Sequence, residues 1–157
     1  MAVIESPQGS RNKLKYEPAL GVFKVSESLS AGMSFPFDFG FIPGTRGEDG
    51  DPMDVLILMD APAYPGCVVS ITLLGVIEAE QRDDGESPVR NDRLIALAEG
   101  STERGTPTGL KDLDDQLLDQ IEAFFADYNR LRGRAFKTLG RRGAGRAERL
   151  LERARVA

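Results

Sequence analysis

The sequence predicts an α+β, mainly β chain: a small closed barrel of short strands with two helices packed outside it. Up to about residue 100 the apolar residues come in short runs that alternate with polar ones or are bounded by turn residues, the pattern of strands. Beyond Gly109 they recur at steps of three and four, the pattern of helices. No repeat and no low-complexity linker divides the 157 residues, so one domain spans residues 1–157. The barrel occupies roughly residues 1–100, and the helices run over about 110–133 and 145–156.

Along the chain, Gly21-Val22-Phe23-Lys24-Val25 alternates as a half-buried strand does. Val55-Leu56-Ile57-Leu58 is a short apolar run between turn signals, hence a buried strand. Cys67 to Ile77 is long and β-branched, and Gly75 within it signals a bulge or a close backbone approach. Glu78-Ala79-Glu80-Gln81 continues that strand, Asp83-Asp84-Gly85 has hairpin-turn chemistry, and Leu94-Ile95-Ala96-Leu97 is the return strand. Leu113, Leu117, Leu118, Ile121, Phe124, Phe125, Tyr128 and Leu131 form one apolar helical stripe. Asp112 is the expected N-cap, Arg130 and Arg132 suit the last turn, and Gly133 stops the helix. The second helix, from about Gly145, gathers Ala147, Leu150, Leu151 and Ala154 on one face.

Composition then narrows the chemistry. The chain has no histidine and one cysteine, Cys67, which reads as a small buried hydrophobe. Histidine-dependent zinc sites and Ser-His-Asp or Cys-His catalysis are excluded, so a metal here is bound by oxygen, which favours magnesium, manganese or calcium. No apolar run is long enough for a membrane helix, and the first residues do not read as a signal peptide, which predicts a cytoplasmic protein with no membrane partner. The net charge of −5 is uneven: residues 130–157 carry +8 and the remainder −13. A basic tail on an acidic body suggests either nucleic-acid contact or a solvated helical face.

The densest chemical signal is Asp49-Gly50-Asp51-Pro52-Met53-Asp54, just before a buried strand. Pro52 pushes Asp51 towards extended geometry, and extended residues two apart project to one side, so Asp49 and Asp51 are expected to converge. A divalent cation relieves the repulsion of such carboxylates, although a polar turn capping the strand fits the same residues. A calcium loop of the EF-hand type fits poorly, because Asp54 falls where the glycine is needed.

The stretch Glu48 to Leu56 resembles the signature of family I soluble inorganic pyrophosphatases. Ile4-Glu5-Ser6-Pro7, Ser10-Arg11-Asn12-Lys13, Phe35 to Pro43, Gly75-Val76, Arg93-Leu94-Ile95-Ala96 and Phe124 to Tyr128 follow in that family's order. The resemblance covers most of residues 3–140 and implies a five-stranded OB-type barrel with flanking helices. It implies magnesium-dependent hydrolysis of pyrophosphate to phosphate, with manganese as a possible substitute, and a homo-oligomer, commonly a hexamer among bacterial members. Carried over residue by residue, Asp49 and Asp54 are metal ligands, Asp51 takes the proton of the attacking water, and Glu5 edges the metal site. Lys13, Arg93 and Tyr128 hold phosphate, Arg93 standing where lysine is usual.

Several positions depart from that pattern. Lys15 stands where glutamate is usual and Glu27 where arginine is usual, which suggests a charge swap if the two are close. Phe35 and Phe39 replace tyrosines, Gln81 and Asn91 replace metal-binding aspartates, and Asn129 replaces a lysine. Asn91 keeps an amide oxygen for a metal, and Asp92 takes over if the hairpin register shifts by one. Arg46 and Lys137 are further candidates for substrate contact. Alternative readings are a hydrolase of another phosphoanhydride, a weakly active homologue, and an OB-fold nucleic-acid-binding protein.

Overall fold

A computed structural model describes residues 1–103 and 105–156. Ten strands and two helices follow in order: β1 (Ala2–Ser6), β2 (Asn12–Glu17), β3 (Val22–Ser28), β4 (Asp38–Phe41), β5 (Asp54–Leu58), β6 (Val68–Val69), β7 (Ile71–Arg82), β8 (Val89–Arg90), β9 (Arg93–Ala98), α1 (Asp115–Arg130), β10 (Ala135–Gly143) and α2 (Ala144–Ala154). A single 3₁₀ turn, Leu110–Asp112, precedes α1.

The main sheet has the order β10-β7-β9-β5-β4-β1-β6, with β8 paired to β7. Its five central members are β7, β9, β5, β4 and β1. All these ladders are antiparallel except β5 with β9, which run parallel in the register Val55↔Leu94. The central strand β5 is apolar along its length because both of its faces are covered. Leu56 and Leu58 face a core shared with Leu118, Ile121 and Phe125 of α1. Val55 and Ile57, alternating with them, face a second core against which Ala147, Leu150 and Leu151 of α2 pack.

Both predicted helices form, with shifted ends. Asp114 is the N-cap of α1, its side chain accepting from Gln116 N. Asp112 instead closes the preceding turn by accepting from Thr108 N and Oγ1 at 2.8 Å. The apolar stripe packs as expected except Leu131, which lies just beyond the helix and is exposed. Gly133 takes a positive φ of 73° and turns the chain out of the helix, so Arg132 lies past the last turn.

Three strand features escaped the sequence reading. β10 is a full strand along β7, hidden in sequence by Gly140, Gly143 and an Arg-rich run that alternate poorly. β2 pairs with β3 as a separate hairpin, tied to β1 where Leu14 N donates to Ser6 Oγ (2.9 Å) and Tyr16 N to Glu5 Oε1 (2.7 Å). The return from the Asp83-Asp84-Gly85 turn passes through the short β8 before β9 takes up its pairing with Ile71 to Ile77. Cys67 is exposed, contrary to the buried role its apolar neighbours suggested, because it precedes a two-residue edge strand.

Gly75 combines both features expected of it. The register of β7 against β9 shifts between Leu73 and Gly75, and an added Cβ would lie 2.3 Å from Arg142 O and 2.6 Å from Leu110 Cγ. Replacing Gly75 by Val should cost at least about 2 kcal/mol in urea unfolding; parental stability would mean that β10 yields without loss.

Candidate active site

The parallel ladder sets the site. Because Val55 pairs with Leu94, the preceding residues Asp54 and Arg93 enter their strands side by side at the same edge. Arg93 Nη1 donates to Asp54 Oδ2 at 2.5 Å, and also to the Asn91 side-chain oxygen. Arg93 is only 5% exposed, its guanidinium lying 5.0 Å from the Phe125 ring centroid. The end of β1 supplies Glu5 beside this pair, and the hairpin tied to β1 supplies Lys13 and Lys15, two apart on β2. The end of α1 supplies Tyr128, and the segment after it Arg134. These side chains, with Asp51, Gln81, Asn91 and Asn129, line one cavity of ≈ 230 Å³.

The acidic loop behaves differently from the extended reading. Gly47 N donates to Asp51 O and Gly50 N to Gly47 O, and Gly50 takes a φ of 88°. That left-handed residue breaks the two-residue alternation, so Asp51 enters the cavity while Asp49 lines a neighbouring one of ≈ 330 Å³. Asp49 Oδ1 folds back to accept from Asp51 N at 3.1 Å. Asp54 borders both cavities. Among the described residues no three acidic side chains gather where they could hold a metal ion. Cations hold two of the loop carboxylates instead: Lys15 Nζ lies 2.7 Å from Asp51 Oδ2, as Arg93 does for Asp54.

The other candidates fall in several places. Asn91 faces the cavity, its Nδ2 donating to Gln81 Oε1 at 3.0 Å. Asp92 lines only the neighbouring cavity, its carboxylate accepting from Arg90 and from Ala79 N, so the hairpin register does not bring it into the cleft. Arg46 also lines that neighbouring cavity. Lys137 sits opposite Glu80 on β10, in a surface hollow of ≈ 270 Å³ apart from both. Phe35 and Phe39 are core residues whose rings stack at 5.4 Å. Lys15 and Glu27 do not pair. Lys13 is the residue across from Glu27, and Lys24 the one across from Lys15. Glu27 accepts from the Tyr128 hydroxyl at 2.5 Å and forms an ion pair with Arg132, which also donates to that hydroxyl.

The sequence places Arg132 at the helix end and gives Arg134 no role, yet Arg132 holds Tyr128 and Arg134 lines the cleft with its Nε 2.5 Å from Asp83 Oδ1. The usable signal was Gly133 between them, a turn that redirects both side chains. The basic tail is largely neutralised by the acidic body. Arg141 meets Asp115, Asp119 and Glu122, while Arg142 and Arg146 meet Glu78.

Burial dominates the titration of the site. It pushes Glu5 up to about 7, helped by the charge of Asp54 and opposed by the Tyr16 hydrogen bond. It raises Asp49, with Asp54 and Asp51 adding to the effect, and lowers Lys13, with Arg93 adding. For Lys15 burial also lowers the value, but the hydrogen bond and charge of Asp51 outweigh it and the net shift is upward. Tyr128, buried, is raised to about 12 and stays a neutral donor.

A cleft that sets lysines and arginines around a rim of carboxylates, on a mixed sheet covered by two helices, defines a binder of multiply charged oxyanions. The comparisons make that class specific. A family model described as inorganic pyrophosphatase matches residues 2–156, and the chain belongs to that family. The inorganic pyrophosphatase of Halalkalibacterium halodurans is 38% identical over 133 residues, 85% of this chain and 78% of that protein. That of Synechocystis is 32% identical over 138 residues, 88% and 79% respectively. The crystal structure of the Thermus thermophilus inorganic pyrophosphatase superposes with a TM-score of 0.89 at 31% identity, over 98% of this chain and 87% of that one. The fold is the OB type that the resemblance implied.

Glu5 gives a pH signature. Its folded value near 7 lies above the ordinary 4.5, so between those values the folded chain holds more protons than the unfolded one and stability falls as pH rises. In chelator, Glu5→Gln should remove that decline and leave the chain up to about 3 kcal/mol more stable at pH 8. Unfolding curves that keep the parental pH profile would refute the assignment.

Proposed function

We propose that the chain hydrolyses inorganic pyrophosphate to two phosphates. The convergence of Lys13, Arg93 and Asp51 on one cavity carries this reading, in a chain of this family. The family is metal-dependent, and the ion we assign is magnesium, with manganese as substitute. Asp49, Asp51, Asp54 and Glu5 offer carboxylate oxygens and Asn91 an amide oxygen, all hard donors of the kind such ions take. The fit is partial, because Asp51 and Asp54 are each already paired with a cation, Lys15 and Arg93, and Gln81 and Asn91 are neutral. Asp92, Arg46 and Lys137 support the reading less, as they line other cavities.

A divalent ion, when bound, cancels phosphate charge and makes water more acidic. The chain's own residues do the rest. Lys13 and Arg93 hold phosphate oxygens and stabilise the charge that moves to the leaving phosphate. Asp51 accepts the water proton on Oδ1, because Oδ2 is held by Lys15. Tyr128 donates its hydroxyl hydrogen bond to Glu27, so it acts by position: Lys13 Nζ stands 5.4 Å over its ring. A homo-oligomer in the cytoplasm, a hexamer in the first instance, belongs to the same reading. Exposed Leu20, Val22 and Val25 at one hairpin support self-association.

Phosphate release from pyrophosphate should require magnesium and exceed release from ATP and tripolyphosphate. Asp51→Asn should lower turnover about 10²-fold with the fold intact by circular dichroism. Equal release from the other anhydrides would reassign the substrate, and unaltered turnover would remove Asp51 as the base.

A further inference from the structure

The catalytic cavity is more basic than its acidic loop suggests. Glu5, Asp51 and Asp54 supply its acidic groups. Lys13, Lys15, Arg93 and Arg134 outnumber them. Two of the carboxylates are already matched, Asp51 by Lys15 at 2.7 Å and Asp54 by Arg93 at 2.5 Å. The guanidinium nitrogen on Asp54 also takes the Asn91 side-chain oxygen, so two oxygens that point at one place point at a cation the chain itself provides. Gln81 and Asn91 are bonded to each other and add no charge.

Donors remain to spare on these cations. An ammonium has three protons, and Asp51 accepts only one from Lys15. Arg134 meets Asp83 through Nε, which leaves its terminal nitrogens for another partner. Lys15 is half exposed and lines the cavity.

We propose that Lys15, with Lys13, Arg93 and Arg134, lets this cleft bind free pyrophosphate with no divalent ion present. Chain-borne cations thus supply, at the binding step, charge neutralisation that diffusible ions otherwise bring. The proposal rests on the reading of pyrophosphate as the substrate. It concerns binding alone, so a metal requirement for hydrolysis is compatible with it. Attraction of this kind weakens as salt is raised.

The test is calorimetric titration of the intact chain with pyrophosphate, once in excess EDTA and once in magnesium. The parent should bind in EDTA, and Lys15→Glu should weaken that binding at least about tenfold. Lys15→Gln should fall between them, which separates charge from shape. Thermal unfolding of each variant checks that it folds, as expected at so exposed a position. In magnesium the difference between parent and Lys15→Glu should shrink. Binding in magnesium but none in EDTA overturns the inference and leaves the substrate reading standing. Equal affinity of parent and Lys15→Glu in EDTA overturns it too. Absence of binding in both conditions overturns the substrate reading itself.

Discussion

One parallel pairing organises this molecule. Strands β5 and β9 start at the same edge of the sheet, and that shared start sets a carboxylate beside a guanidinium. An antiparallel partner would have carried Arg93 to the opposite end. Everything that makes the cleft gathers around that edge: the end of β1 with Glu5, the hairpin with its two lysines, and the last turn of α1 with Tyr128. Both faces of β5 are packed, so the pair cannot shift without disturbing two cores.

Charge is handled in the same internal manner elsewhere. A chain with a strongly acidic body and a basic tail could have looked outward for a partner. Instead the tail folds back, and its arginines meet carboxylates on α1, β3, β7 and the β7–β8 turn. Glu78 is the clearest case, a buried carboxylate on β7 reached by Arg90, Arg142 and Arg146, which belong to β8, β10 and the outer helix. Burial alone would raise its pKa, but the guanidiniums of Arg146 and Arg90 outweigh burial and lower it. Exposed ion pairs contribute little singly, whereas a shared buried anion links elements that sequence keeps far apart.

Much of the fold was legible because hydrophobic spacing is local. The run Val55 to Leu58, the stripe from Leu113 to Tyr128 and the close approach at Gly75 could be read from neighbours in sequence. β10 could not, since its pairing with β7 joins residues more than fifty apart and its glycines mute the alternation. The identity of the acidic loop was legible too, but the direction of its side chains was not. That depended on the backbone sign of Gly50, which separates Asp49 from Asp51. The partners of Lys15 and Glu27 were equally hidden, because a charge in sequence does not say which opposite charge the fold brings to it. Arg134 entered the cleft only through a turn whose exit angle no periodicity encodes.

The contact between Lys15 and Asp51 has a kinetic side. A dissolved cation binds by mass action, is removed by chelation and can depart together with the product it neutralised. An ammonium anchored to β2 has a local concentration that dilution leaves unchanged. It is always on hand to receive a substrate, and for the same reason it cannot leave with the phosphates. An attraction that captures the anion would persist after the bond is cut and would slow release of the phosphates.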